Sequence, residues 1–339
     1  MSLKSASSKS PCSTAGDRRS LPEVLICSPA LADANNGNWQ TASRWARMLK
    51  GHCRIGIVGS WAGEACDLLI ALHARRSAAS IAAFAAAYPD RPCIVVLTGT
   101  DLYRDIETDR AAQAALRTAD RLVVLQEQGI DALPPDLRAN AVVIYQSARR
   151  LKPVQATANR LKVAFVAHLR DEKDPLTLLR AAARLSERTD IRIDMVGDAL
   201  DASLGDAVLQ ACAELPSLRW VGGLPRSQTR QLIRRAQLLV NCSRMEGGAH
   251  VILEAVQSGT AVLASRIPGN VGMLGAAYAG LFDLGDDRAL AALIERAGDE
   301  PDFLKMLRQA TVARAELFDP AAEQRALRQL VTNCLGIAR

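Results

Sequence analysis

Residues 162–188 read KVAFVAHLRDEKDPLTLLRAAARLSER. The stretch opens on a short, nearly continuous apolar run, residues 162–167. That length and its branched and aromatic side chains fit a strand buried on both faces. A charged loop follows. Residues 173–188 then carry the Ala/Leu/Arg pattern of a helix, and a second apolar strand, residues 191–196, comes directly after. Strand, loop, helix, strand is the unit of a parallel sheet.

The same alternation extends in both directions. Upstream, strands are expected at residues 24–27, 54–58, 67–72, 93–97, 121–125 and 141–144, with helices at 39–50, 76–87 and 108–119. Downstream, strands are expected at 218–221, 237–241 and 261–264, with helices at 201–214, 226–235 and 248–257. Residues 149–160 (RRLKPVQATANR) interrupt the pattern. They are polar, hold Pro153 and show no periodicity, which reads as a linker. The expectation is an α/β protein of two Rossmann-like, doubly wound parallel-sheet domains, residues 21–148 and 161–318, facing a central cleft. Residues 319–339 are expected to form a C-terminal helix packing back on the first domain, and residues 1–20, polar and rich in small residues, a disordered leader.

Composition narrows the function. The chain has 339 residues, 49% hydrophobic and 23% charged, enough for two domains. No apolar run reaches the ~18 residues of a membrane span. The first residues contain no apolar core of a secretory signal. The eight cysteines are scattered, without a Cys-x-x-Cys pair, and the four histidines do not cluster. A structural metal or a disulfide framework therefore fails on spacing, and a reducing cytoplasm is the expected compartment. The net charge is +6, carried mostly by arginine, a residue suited to phosphate and carboxylate. No basic run is interleaved with aromatics, which argues against nucleic acid as a partner.

In such sheets ligands lie beyond the carboxyl ends of the strands. Residues 246–255 (EGGAHVILEA) follow the strand expected at 237–241. Gly247 and Gly248 let a ligand approach the backbone, and free N–H groups at a helix start attract phosphate. Glu254 sits in an apolar run, where an unpaired carboxylate is costly. A diphosphate flanked by two hydroxyl-bearing sugars would satisfy the layout, with Glu246 and Glu254 each accepting from one sugar. The alternative is a capping glutamate and a helical one without ligand.

EGGAHVILEA followed by SGTAVLAS resembles the Glu-x7-Glu motif of the family 4 glycosyltransferases of GT-B fold. The resemblance implies that Glu246 contacts the donor sugar and Glu254 the ribose, with Gly247 and Gly248 beside the donor. A second family element is an Arg-x4-Lys pair on the diphosphate. Here the segment is VAHLRDEKDP: Lys173 matches, His168 stands where the arginine is usual, and Arg170 lies two residues on. Charge favours Arg170 as the second cation, because a neutral histidine neutralises little. Lys173, read as opening a helix, is electrostatically misplaced there unless it meets an anion. Gly197 and Asp198 also follow a strand and match a common family turn that shapes the cleft; residues 265–270 (SRIPGN) follow the next strand, either as a contact to the nucleotide or its sugar or as a plain turn.

In the first half, three segments follow strands: residues 35–38 (NNGN), a candidate anion cradle with Gly37 and Asn38; residues 73–77 (HARRS), with His73, Arg75 and Arg76; and residues 98–101 (TGTD), with Thr98, Gly99, Thr100 and Asp101, running on to Tyr103, Arg104 and Asp105. Together they predict a cationic acceptor pocket, suited to a small phosphate-bearing nucleophile; the alternative is that Arg75 and Arg76 start a solvated helix face. GNWQTASRWARML, DLLIALHARRSA, LTGTDLYRDI, RLVVLQ and VIYQSA resemble the selenosugar synthases of selenoneine biosynthesis. That resemblance implies selenophosphate joined to the anomeric carbon of a UDP-sugar, typically UDP-N-acetylglucosamine, with release of UDP and then phosphate. It implies no metal or cofactor, small-molecule partners only, no stable membrane association, and coupling to a selenophosphate source and a downstream selenoneine-forming enzyme. Glu246 would act at the reaction centre, and Asp101 and His73 would orient groups or manage protons, since an anionic selenium needs no general base. Three alternatives compete. One is a family 4 enzyme acting on a hydroxyl or lipid acceptor, with helix 39–50 at a membrane surface. Another is an epimerase, disfavoured because no carboxylate pair is visible in the first half. The third is a non-catalytic nucleotide-sugar binder.

Overall fold

The computed structural model describes residues 21–31, 37–154 and 160–337. Apolar runs bounded by glycine and polar residues form two six-stranded sheets. In the first sheet the strands are β1 (Glu23–Cys27), β2 (Arg54–Val58), β3 (Leu68–Leu72), β4 (Cys93–Val96), β5 (Arg121–Val124) and β6 (Ala141–Val143). They are all parallel, in the order β2-β1-β3-β4-β5-β6. Among helices of seven residues or more, α1 (Gly37–Leu49), α2 (Ala78–Ala87) and α3 (Arg110–Thr118) join β1 to β2, β3 to β4 and β4 to β5. The expected six strands are all present, within a residue at each end.

The second sheet contains β7 (Leu161–Val166), β8 (Ile191–Val196), β9 (Leu218–Trp220), β10 (Leu238–Asn241), β11 (Ala261–Ser265) and β12 (Leu281–Phe282). Its order is β12-β11-β10-β7-β8-β9, again all parallel. Helices α4 (Pro175–Arg184), α5 (Ala202–Glu214), α6 (Arg226–Arg235), α7 (His250–Val256) and α8 (Pro268–Leu274) connect successive strands. α9 (Asp287–Asp299), α10 (Pro301–Ala313) and α11 (Pro320–Cys334) follow. Central strands are buried along their whole length, as in β3, β4, β10 and β11, which is why they read as unbroken apolar runs.

Three local expectations need correction. β12 was not anticipated: two residues carry too little pattern to separate from the helical C-terminal region. Helix 173–188 begins instead at Pro175, whose fixed φ suits a first helical position. Asp174 precedes it in a left-handed conformation (φ 42°), so Lys173 ends a separate single turn (Asp171–Lys173). Helix 248–257 begins at His250, leaving both glycines in the preceding loop.

α11 crosses back to the first sheet and packs on α1. Trp45, Leu49, Leu327, Leu330 and Val331 share one core with β1, β3 and β4. At its centre the buried carboxylate of Glu323 accepts from Arg44 Nε (3.0 Å), Trp45 Nε1 (2.7 Å) and the Ser147 hydroxyl. Ala42, Trp45 and Leu49 are fully covered and Trp39 is half-buried, so most of the apolar face of α1 is turned to the core. Among the described residues, no helix is long and apolar enough to cross one.

Close packing also fixes the turns after strands. Gly197 follows β8 at φ 141°, and a Cβ there would overlap the carbonyl of Ala167. Gly197→Ala is expected to lose about 2–5 kcal/mol of stability from backbone strain and overpacking. Urea unfolding of the variant measures it.

Candidate functional site

Strand order reverses between β7 and β10 in the second sheet and between β1 and β3 in the first, and ligand crevices open at such points. The loops leaving β7 and β10 meet there. Lys173 Nζ donates to Glu246 Oε1 at 2.6 Å, and the Ser243 hydroxyl donates to the same oxygen at 2.6 Å. Burial pushes the Glu246 carboxyl up, but the Lys173 charge and these hydrogen bonds outweigh it and hold it below the ordinary range.

Glu254 is also buried, but its partners are the chain's own arginines. Arg226 Nη2 and Nε lie 3.3 and 3.4 Å from Oε1, and Arg230 Nε lies 3.9 Å from it. A ligand was the expected partner of this buried charge; within the chain, α6 already supplies two cations. Desolvation still prevails, and the carboxyl sits above its ordinary range. Arg226 reaches across to the first half as well, donating from Nη1 to Gln40 Oε1 at 2.8 Å.

His168 does not replace the family arginine as a cation here. Its Nδ1 accepts from the Asp198 backbone N–H at 3.1 Å, which ties the β7 loop to the β8 loop. Arg170 is half-exposed and lies 3.8 Å from Glu172. Of the three cationic candidates after β7, only Lys173 meets Glu246.

On the facing sheet, His73 ends β3 with φ 71°, a costly conformation for this residue type. Its Nδ1 accepts from the Arg76 N–H at 3.3 Å, and its Nε2 lies 3.1 Å from the Thr100 hydroxyl. Asp101 is completely buried and accepts the N–H groups of Ala74, Thr98 and Gly99, each at 2.9 Å. It clamps the loop after β4 to the loop after β3. A carboxylate so enclosed holds backbone in place, which is the orienting one of the two roles expected for it. Residues 101–105 form a single wide helical turn where a loop was expected.

The cationic pocket is weaker than expected. Arg75 (46% exposed) lies 3.3 Å from Asp105, and Arg104 (49% exposed) lies 3.1 Å from Asp105 and 3.3 Å from Glu172. Arg76 is also exposed. Asp105 and Glu172 neutralise what Arg75 and Arg104 bring, and neither acid was weighed in that role. Asp101 and Asp105 each lie 3.9 Å from a ring nitrogen of His73. Gly37 and Asn38 open α1, whereas Asn35 and Asn36 lie outside the described residues.

The two halves touch at backbone level. A Cβ on Gly99 (φ 139°) would stand 2.9 Å from the Gly247 nitrogen, and one on Gly247 would stand 2.5 Å from the Thr98 carbonyl. A Cβ on Gly248 would press on Leu125 at 2.9 Å. The acceptor-side loop and the Glu246 loop therefore form one continuous floor.

Residues 148–314 match the family model described as glycosyl transferases group 1. That part of the chain is similar to the group 1 glycosyltransferases. Among curated relatives, "Glycosyltransferase 1 domain-containing protein 1" of Xenopus tropicalis is 28% identical over 144 residues, 42% of this chain and 41% of that one. The D-inositol 3-phosphate glycosyltransferase of Nocardia farcinica is 31% identical over 183 residues, 48% of this chain and 39% of that one. The chain thus spans about two-fifths of the length of these relatives. Solved structures extend the likeness to both sheets. Sucrose-phosphate synthase of Thermosynechococcus elongatus superposes with a TM-score of 0.77 at 16% identity, over 94% of this chain and 100% of that one. HepE of Anabaena, solved with UDP and glucose, gives 0.73 at 16% identity, over 92% and 100%. The fold is GT-B.

Two outcomes test this geometry. Gly247→Ala is expected to remain folded but to lose at least tenfold in activity, because its new methyl group wedges the two loops apart. Thermal melts paired with turnover measure the split. Separately, burial lowers the proton affinity of His73 and His250 below the ordinary 6.5; the Asp101 charge opposes this at His73, the Arg44 charge adds to it at His250, and burial lowers His52 as well. Because the unfolded chain then binds protons more readily, the stability from keeping these rings neutral is complete above about pH 6.5 and is lost below it. Melting temperatures should fall from pH 7 to pH 5, and His73→Asn, which tolerates the left-handed backbone, should reduce that slope.

Proposed function

We propose that the chain transfers a sugar from a UDP-sugar, UDP-N-acetylglucosamine being the candidate, to selenophosphate. The observation that carries the donor half is the Lys173–Glu246 pair at the switch point of the second sheet. Lys173 and Ser243 both engage Oε1 of Glu246, and Arg226 and Arg230 both approach Oε1 of Glu254. Glu254 thus keeps Oε2 for a sugar hydroxyl, and Glu246 is held as a charged acceptor beside it. Among the neighbours in fold, a pneumococcal O-GlcNAc transferase solved with UDP and GlcNAc superposes with a TM-score of 0.64 at 18% identity, over 79% of this chain and 57% of that one.

On this reading selenium attacks the anomeric carbon as its bond to the UDP oxygen breaks, and UDP leaves with the electron pair. Water then cleaves the Se–P bond, giving phosphate and a 1-selenosugar. Lys173 offsets the charge growing on the departing diphosphate. The buried, left-handed His73 and the Asp101 clamp hold the Thr98–Thr100 backbone rigid beside Gly247, where the acceptor would sit. No proton need leave the nucleophile. The resemblance of residues 73–78 and 97–106 to the selenosugar synthases supports this acceptor.

A second reading has its own observation. Asp105 and Glu172 neutralise Arg75 and Arg104, and a neutral His73 beside them suits removal of a proton from a hydroxyl acceptor. Incubation with UDP-N-acetylglucosamine and selenophosphate, followed by mass spectrometry, separates the two. A selenium-containing hexosamine supports the first; UDP release only with alcohol acceptors supports the second. Lys173→Ala should weaken UDP binding roughly 10–100-fold in either case, the usual worth of a charge-assisted hydrogen bond. Unchanged UDP affinity in that variant would overturn the donor assignment.

A further inference from the structure

Arg44 is the most enclosed cation in the first half, with 6% of its surface exposed. Its Nε is held by Glu323, but its Nη1 and Nη2 are buried and have no partner among the described residues. Such groups are rare and costly in a folded protein. His250 Nε2, on the first turn of α7 in the second half, is buried and unpartnered in the same way. Arg226 links their helices, bonding Gln40 on α1 and Glu254 on α7. The charge of Arg44 bears on His250, on Glu254 and on Arg226, and the charges of Arg226 and Lys173 bear on His250. Gln40, one helical turn before Arg44 on α1, already bonds Arg226 at 2.8 Å.

We infer that Arg44 and His250 together bind a phosphate oxyanion in the gap between the two sheets. Three buried, unpartnered nitrogens, two on α1 and one on α7, are available to it once the His250 ring carries its proton on Nε2. Three guanidinium groups (Arg44, Arg226 and Arg230) face two carboxylates (Glu254 and Glu323), so one positive charge remains over. A planar guanidinium with both terminal nitrogens free matches two phosphate oxygens. Glu323 makes the site rigid: it fixes Nε on α11, so the fork is aimed before a ligand arrives. The inference rests on the reading that both substrates carry phosphate, one as a diphosphate and one as a chalcogen-substituted monophosphate.

Equilibrium titration of the full chain with UDP and, separately, with thiophosphate tests it, in wild type, Arg44→Gln and His250→Gln, with a thermal melt of each. At least a tenfold loss of affinity for one ligand is expected. Loss for thiophosphate assigns the site to the acceptor; loss for UDP assigns it to the donor diphosphate. Arg44→Gln strands Glu323, so if that variant melts below the assay temperature, His250→Gln, which leaves the Glu323 network intact, decides the matter. Folded variants that bind both ligands within twofold of wild type overturn the inference, as does a wild type that binds neither. A wild type that binds thiophosphate but not UDP, with that binding lost in the variants, sinks the UDP-sugar reading and sustains this one.

Discussion

The backbones of Gly99 and Gly247 approach so closely that neither position has room for a Cβ. This contact joins the end of β4 in one sheet to the loop after β10 in the other, and the arrangement of the cleft follows from it. Loops at the carboxyl ends of two independent sheets would ordinarily be the most mobile parts of each. Here each is tied down from behind. Asp101 gathers three backbone N–H groups on the acceptor side, while Ser243 and Lys173 hold Glu246 on the other. Two stiffened loops pressed together make a floor on which small displacements are resisted, the condition for holding reacting groups near attack distance.

Charge is distributed around that floor in pairs. Arg75 and Arg104 stand half in solvent with Asp105 and Glu172, where screening leaves such pairs little energy. Arg44, Arg226 and Arg230 are more enclosed, and there the same charges act over a low-dielectric path. The surplus of positive charge thus lies deeper than a reading by residue type alone would place it. A ligand phosphate entering the depth of the gap would meet cations already stripped of water, whereas one at the rim would first have to displace carboxylates.

Much of the architecture was legible because parallel strands buried on both faces are written as apolar runs; β3 and β4 hold no polar residue, and β10 and β11 hold one only at their last position. Glu246, Gly247 and Lys173 were legible as a group because motif spacing and strand ends agree on them. The rest was hidden by distance along the chain. Glu323 lies 279 residues from Arg44, so nothing local to either marks their bond. Arg226 and Arg230 stand one turn apart on α6, yet Glu254 is 28 residues beyond Arg226, and a polar helix face reads as a solvated one. Asp101 was visible as chemistry-bearing, but whether a carboxylate faces substrate or backbone depends on the conformation of residues 98–101, which its own sequence does not dictate.

The C-terminal helix then has a role that packing alone does not require. α11 covers Trp45 and Leu49 with Leu327, Leu330 and Val331, and an apolar residue at position 323 would complete that layer without the cost of a buried charge. Instead the position carries Glu323, which accepts from Arg44, Trp45 and Ser147 at once. A buried pair of this kind is weak support for stability and strong support for geometry. It fixes where the Arg44 guanidinium points while leaving its two outer nitrogens unused, which is the arrangement of a group held for something that is not part of the chain.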